Sequence, residues 1–343
     1  MFSSEKLKQI ALKHQNTLIQ LGEIEKILTD RFVKMEKAIR AFILSVASGE
    51  PLLLVGPPGT AKSRLIRAFC GLIELLDEEN PEKGHPEYFE YLLTPFTEPG
   101  ELFGYYNISK AAKGGVLKRD DKNMMQNAKV IYLDEIFNGS SAILNSILAF
   151  MNERIFHDRG KRKKVKMQCL FAATNQIPEK SELRAIFDRL VLRCEVNNVK
   201  EIEDISKLLQ KGWLETYGIF KKQKPFKNIL EKTVELRETI QEYSTNNLLD
   251  QNKDNKFFNM FTWMVHHARQ FGFSDMSNRR LIKIAHIMLI HAMYEWVLSE
   301  KKDSEISLGV NEFLLLPRYF LDRMDDESID KMERAAYRYE EKY

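Results

Sequence analysis

The chain has few cysteines, little net charge and no unbroken apolar run of membrane-spanning length. Only three of its 343 residues are cysteine, and Cys70, Cys169 and Cys194 lie far apart in apolar stretches with no CxxC pair. That excludes a disulfide framework or a cysteine zinc site and points to buried thiols in a reducing compartment. The net charge of +3 is too small to argue by itself for a nucleic-acid partner. The longest membrane candidate, IAHIMLIHAMYEWVL, is interrupted by His286, His291 and Glu295, and it falls short of the roughly 20 residues a span needs. The opening MFSSEKLKQIALKHQ carries charges where a secretory signal needs an apolar core. The expectation is a soluble cytoplasmic protein without a membrane segment. His85, His266 and His267 have no companions at metal-ligand spacing, and no internal repeat is visible.

What is present suits two domains, or one large domain with a satellite: 44% hydrophobic and 29% charged residues. Leu7, Ile10, His14, Leu18, Leu21 and Leu28 recur at helical spacing, and a second helical pattern runs from Phe32 to about Ser48 before Gly49. PLLLVG then reads as a strand buried on both faces. VIYLD (Val130 to Asp134) and CLFAATN (Cys169 to Asn175) repeat that pattern, with helical stretches between. The alternation predicts an α/β fold with a parallel sheet and helices on both faces. After about Val199 the pattern is helical, broken by a polar stretch from Tyr243 to Lys256 that reads as a loop. The segment RMDDESIDKMERAAYRYEEKY reads as one more helix.

GPPGTAKS, Gly56 to Ser63, sits between the first strand and the helical SRLIRAFCGLIELL. Phosphate binding needs this order: a strand, a loop with inward N–H groups, then a helix whose positive end faces the anion. Gly56, Pro57, Pro58, Gly59, Thr60, Ala61, Lys62 and Ser63, with Arg64 following, form the expected nucleotide-binding set. Lys62 would reach the β- and γ-phosphates and Ser63 would hold Mg²⁺. Ala61 stands where the usual pattern has its second glycine. If residue 61 is already helical, glycine is not required there.

A phosphate loop alone hydrolyses nothing; the metal needs a second anchor and the attacking water a base. Asp134, at the end of VIYL, is the expected second metal anchor, and Glu135 the expected base. The expected cofactors are ATP and Mg²⁺.

With these motifs in hand, the chain resembles the AAA+ ATPases, specifically the MoxR group that includes RavA-type proteins. The resemblance runs from Phe32 to Leu316. It is carried by GPPGTAKS, FTEPGELFG, VIYLDEIFNGSSAILNSILAFMNERIF, FAATNQIPE, LRAIFDRLVLR and SNRRLIK. It implies an αβα P-loop sandwich at 31–198, followed by an all-α lid with a short helical extension at 199–343. Residues 1–30 would be an N-terminal helix. It further implies an ATP-driven remodelling machine, usually a homohexameric ring with nucleotide at subunit interfaces. Residue by residue, Asn175 looks like the sensor that helps position the attacking water. Arg189 looks like the finger donated to a neighbour's nucleotide, and Arg279 like the lid arginine that touches the γ-phosphate. Arg184 and Arg280 are the nearby alternatives. The partner in this group is often a protein with a von Willebrand A domain, and the expected role is chaperone-like.

The basic run Arg159 to Lys166 reads as a hairpin tip, which in related ring ATPases faces the pore and in helicases touches DNA. A motor acting on nucleic acid is therefore the competing expectation, unaccompanied by any RNA-recognition, helix-turn-helix or zinc motif. FGYYNISKAAKGG, Phe103 to Gly115, sits where the resembled group carries an extra hairpin after the second helix, and its Tyr105 and Tyr106 would either grip a partner in the pore or pack under that hairpin.

Overall fold

A computed structural model describes residues 4–78, 80–108, 119–158, 160–178, 183–216, 223–245, 256–299 and 305–342. The chain opens with helices α1 (Ser4–Lys13), α2 (Gln15–Arg31) and α3 (Glu36–Ser48). Strand β1 (Leu52–Val55), helix α4 (Lys62–Leu72), strand β2 (Tyr88–Leu92), helix α5 (Pro99–Phe103) and strand β3 (Val130–Asp134) follow. After the helix Ser141–Glu153 come strands β4 (Ile155–Asp158), β5 (Lys161–Lys164) and β6 (Cys169–Thr174). The short helix Arg184–Arg189 leads to β7 (Leu192–Glu195), and the remaining described elements are helical.

Five strands form one sheet in the order β2-β3-β6-β1-β7. The pairs β1–β6, β2–β3 and β3–β6 are parallel, with Leu52 opposite Phe171 and Val130 opposite Cys169. Every residue of β1 and β6 is buried, as two-sided coverage by helices requires. The α/β class and the strands at Leu52, Val130 and Cys169 follow from the unbroken apolar runs. Strands β2 and β7 add to them. β2 is buried only over Tyr88 and Phe89 and shows no apolar run, and β7 is four residues long with Arg193 inside it.

The chain forms two compact units. One comprises Pro51–Leu190 and Val196–Lys227 and carries the phosphate loop. Here the helix Ile202–Thr216 is tied to α4 by an ion pair between Arg64 and Glu215. Just beyond it, the Phe226 N–H donates to Leu72 O at 2.8 Å. The second unit comprises Met1–Glu50, Val191–Glu195 and Asn228–Tyr343. Its first fifty residues join the C-terminal helices because α1 to α3 bury Leu7, Ile10, Leu18, Leu21, Leu28 and Phe42 completely or nearly so. They pack against the helices Ile229–Thr245 and Asn278–Leu298. This grouping differs from the chain-order boundaries at 30 and 198. The single N-terminal helix is also two, parted at His14 (φ −107°, ψ 18°).

The helix Asn278–Leu298 has 21 residues, longer than its apolar run suggested, and is apolar enough to cross a membrane by length and composition alone. Its most apolar window is 61% buried inside the chain, as in the core helix of a packed bundle. Arg40 Nε bonds Glu25 at 2.6 Å and the same guanidinium pairs with Glu295.

Candidate nucleotide site

The phosphate loop is built on strand ends. Gly56 N donates to Thr174 O at 3.1 Å, continuing the β1–β6 ladder into the loop. A Cβ on Gly56 would come within 2.0 Å of Val196 O, so the close backbone approach demands glycine. Gly59 takes φ +83° and faces open space. Thr60 Oγ1 donates to Pro57 O at 2.9 Å, closing the turn. Lys62 folds back beneath the loop, its ammonium donating to Gly56 O at 2.6 Å and Pro57 O at 2.9 Å. Its side chain is buried, at 7% exposure.

Ala61 is not helical. It adopts φ 63°, ψ 21°, the left-handed region, and its carbonyl accepts from Leu65 to open α4. The loop therefore keeps the conformation that favours glycine and fills it with alanine. That substitution carries roughly 1–2 kcal/mol of backbone strain.

The two carboxylates stand at the end of β3. Glu135 N donates to Asp134 Oδ1 at 3.0 Å, and Glu135 is itself left-handed at φ 50°, ψ 48°. Burial, then the charge of Asp134, pushes the Glu135 carboxyl up; the Asn175 backbone N–H and Lys62 oppose that. Burial lowers the Lys62 pKa, while Asp134 and Glu135 act to raise it. Lys62, Asp134, Glu135 and the Asn175 main chain thus meet around one point. The Asn175 side chain is exposed just past β6. In the following turn Thr174 Oγ1 donates to Gln176 O at 2.9 Å.

The hydroxyl of Tyr132 is 3.1 Å from Ser63 Oγ. Nothing in VIYLD flags it, because tyrosine in an apolar run reads as strand core. Its ring is buried and only the hydroxyl reaches the loop.

The arginines divide. Arg184 is exposed at the start of its helix. Arg189 is half-buried at the end of the same helix, where Nη1 donates back to Ala185 O at 2.6 Å. Arg279 is exposed in the first turn of Asn278–Leu298, within the helical unit. Arg280 is 1% exposed and pairs with Asp322 at 2.9 Å, also donating to Phe320 O at 2.7 Å. The buried Arg193 pairs with the same carboxylate. Arg280 is thus committed to holding the helical unit together.

The hairpin is present as β4–β5, antiparallel with His157 opposite Arg162. Lys161 to Lys164 are all exposed, and Arg159 lies outside the described residues. Tyr106 bonds Asp158 at the end of β4 at 3.1 Å with Arg119 over its ring, whereas Tyr105 is more than half exposed. Residues 109–118 of the neighbouring segment also lie outside.

The residues fit the groups they are expected to hold. The open space at Gly59 and the N-terminus of α4 suit an anion. Ser63 and Asp134 offer the few hard oxygens that Mg²⁺ takes from protein when phosphates supply others.

A parallel sheet with a phosphate loop at one strand end and paired carboxylates at another defines a P-loop AAA+ ATPase fold. Residues 19–237 match the model of the MoxR domain found in MoxR-vWA-beta-propeller ternary systems, and the chain belongs to the MoxR family. Two uncharacterized proteins of Methanocaldococcus jannaschii are 34% identical over 189 and 191 residues, 55% and 56% of this chain. A structural protein of the Acidianus two-tailed virus is 29% identical over 202 residues, 59% of this chain. The matches cover 48%, 47% and 30% of those proteins, so the chain spans about half their length or less. A presumed ATPase of known structure from Cytophaga hutchinsonii shares the fold, with a TM-score of 0.61 over 96% of both chains at 14% identity.

Proposed function

We propose that this MoxR-family protein hydrolyses ATP and uses the energy to remodel or activate a protein partner, with active sites completed between subunits of a ring. The convergence of Lys62, Asp134, Glu135 and the Asn175 main chain carries this reading. Lys62 is placed to meet phosphate charge, and Ser63 and Asp134 would hold Mg²⁺, which when bound neutralises developing charge on the phosphates. Glu135, with its pKa raised, is suited to take a proton from the attacking water, because a base works best with a pKa near the working pH. The Asn175 side chain would orient that water. Arg189 would release Ala185 and reach a neighbour's nucleotide, and Arg279 would contact the γ-phosphate from the lid.

The matched family model describes MoxR domains in systems with vWA and beta-propeller proteins. That supports a von Willebrand A protein as the partner. The test is ATP hydrolysis in the presence of Mg²⁺ with Glu135→Gln as control: the wild type turns over ATP and the variant binds but does not hydrolyse it. Loss of neither or of both would refute the assignment of Glu135.

The exposed basic strand Lys161–Lys164 favours a second reading, a motor on nucleic acid. Under that reading DNA stimulates the ATPase and added salt abolishes the stimulation. Under the first, DNA has no effect.

A further inference from the structure

Tyr132 reaches the loop, yet the nucleotide chemistry above does not use it. It and Asp134 stand two apart on β3, so their side chains leave the same face of the sheet. That face meets α4, which begins at Lys62 and carries Ser63. The Tyr132 hydroxyl is 3.1 Å from Ser63 Oγ, and the Asp134 carboxylate, two residues on along the strand, is near enough that its charge disfavours loss of the Tyr132 proton. The ring is fully buried, so packing holds the hydroxyl in place.

A serine hydroxyl that coordinates a metal must direct a lone pair at the ion, so its own hydrogen needs an acceptor elsewhere. A deprotonated carboxylate can only accept. If Tyr132 donates to Asp134, its oxygen is free to accept from Ser63. The only consistent proton direction along the chain is then Ser63 to Tyr132 to Asp134. We infer that Tyr132 is a positioning residue for the metal site: it takes the Ser63 hydrogen, turns the serine lone pairs outward and braces Asp134 in the same contact. This rests on the nucleotide-site reading above. It assigns Tyr132 no contact with nucleotide or metal, only an effect through the two groups that would hold the ion.

The partners behind metal-binding side chains commonly govern about 10–100-fold in metal affinity. The test titrates a fluorescent ATP analogue into wild type, Tyr132→Phe, Ser63→Ala and the double variant, first in EDTA and then against a series of Mg²⁺ concentrations. Mn²⁺ binding is read in parallel by electron paramagnetic resonance. Tyr132→Phe is expected to bind the analogue in EDTA within about twofold of wild type. It should need on the order of tenfold more Mg²⁺ or Mn²⁺ to reach the tight complex. Ser63→Ala should show a loss of at least that size, and the double variant should add little to it, because both changes break one relay. The double variant also leaves no orphaned hydroxyl, so it serves where Tyr132→Phe fails to fold. Wild-type metal dependence in Tyr132→Phe, or fully additive losses, overturns the inference and leaves the nucleotide reading standing. A wild type that binds no analogue, or binds it identically with and without metal, overturns both.

Discussion

At the scale of single residues, the site holds two non-glycine residues in the left-handed region, Ala61 and Glu135. For Ala61 two effects compete. Glycine would relieve about 1–2 kcal/mol of steric strain, against roughly 0.5–1 kcal/mol for the greater freedom of its unfolded chain. Relief is the larger, so Ala61→Gly is expected to raise the melting temperature slightly and keep nucleotide affinity. Ala61→Val, which crowds the same backbone, should lower both; thermal melting with and without ATP checks the pair. As the proposed base, Glu135 would set the pH response of hydrolysis. Burial and the Asp134 charge raise its carboxyl pKa, so the base is protonated at pH values where an ordinary glutamate is still ionised. Hydrolysis should therefore fall on acidification before the usual glutamate range is reached. A pH–rate profile of the wild type shows whether the acid limb is displaced upward.

The same scale shows what can be read from sequence. GPPGTAKS and the DE pair are legible because each is a local pattern whose chemistry follows from its neighbours in the chain. Tyr132 is not, since the atom that reaches Ser63 is one hydroxyl on a residue typical of strand cores. The role of Arg280 is not either, because its partner Asp322 is 42 residues away. The left-handed backbone of Ala61 is likewise hidden: alanine is a poor predictor of positive φ.

At the scale of elements, unbroken apolar runs reveal β1, β3 and β6, whereas β2 and β7 carry polar or charged residues and escape. β7 escapes because the charge in its interior, Arg193, is buried against a carboxylate supplied by a distant segment. Asp322 holds Arg193 and Arg280 together and also accepts from Ser274 Oγ at 2.8 Å and Asp275 N at 2.7 Å. The arginine charges and these donors overcome burial and hold its carboxyl at about 2, against 3.8 in an exposed aspartate. A depressed carboxylate pKa stabilises above the unfolded value and loses that contribution as pH falls. The contribution is about 2 kcal/mol, present above pH 3.8 and lost between there and about 2. Asp322→Asn leaves two buried guanidinium groups without their counter-charge, which should cost about 3–5 kcal/mol. Denaturant unfolding of wild type and variant measures this, and the variant should show less further loss between pH 4 and pH 2.

At the scale of the molecule, the candidate site residues fall in two compact units. The sheet unit carries the loop, the carboxylates and Arg189; the helical unit carries Arg279 and the Asp322 cluster. Pairing α1–α3 with helices two hundred residues later is a tertiary choice that periodicity does not encode, although each helix is individually legible. In the proposed ring Glu135 serves a subunit's own nucleotide and Arg189 its neighbour's, and an arginine finger is worth on the order of 10³–10⁵ in rate. Specific activity should therefore rise with protein concentration as subunits assemble.

The shared site is tested by mixing Glu135→Gln and Arg189→Ala, each expected to be inactive alone, and measuring ATP hydrolysis. In the proposed ring each alone would lack one half of every site. In the mixture some interfaces pair an intact Glu135 with an intact Arg189, so activity should return, strongest near equal proportions. No recovery from folded, nucleotide-binding variants that demonstrably co-assemble, or an Arg189→Ala protein as active as wild type, would contradict the shared site.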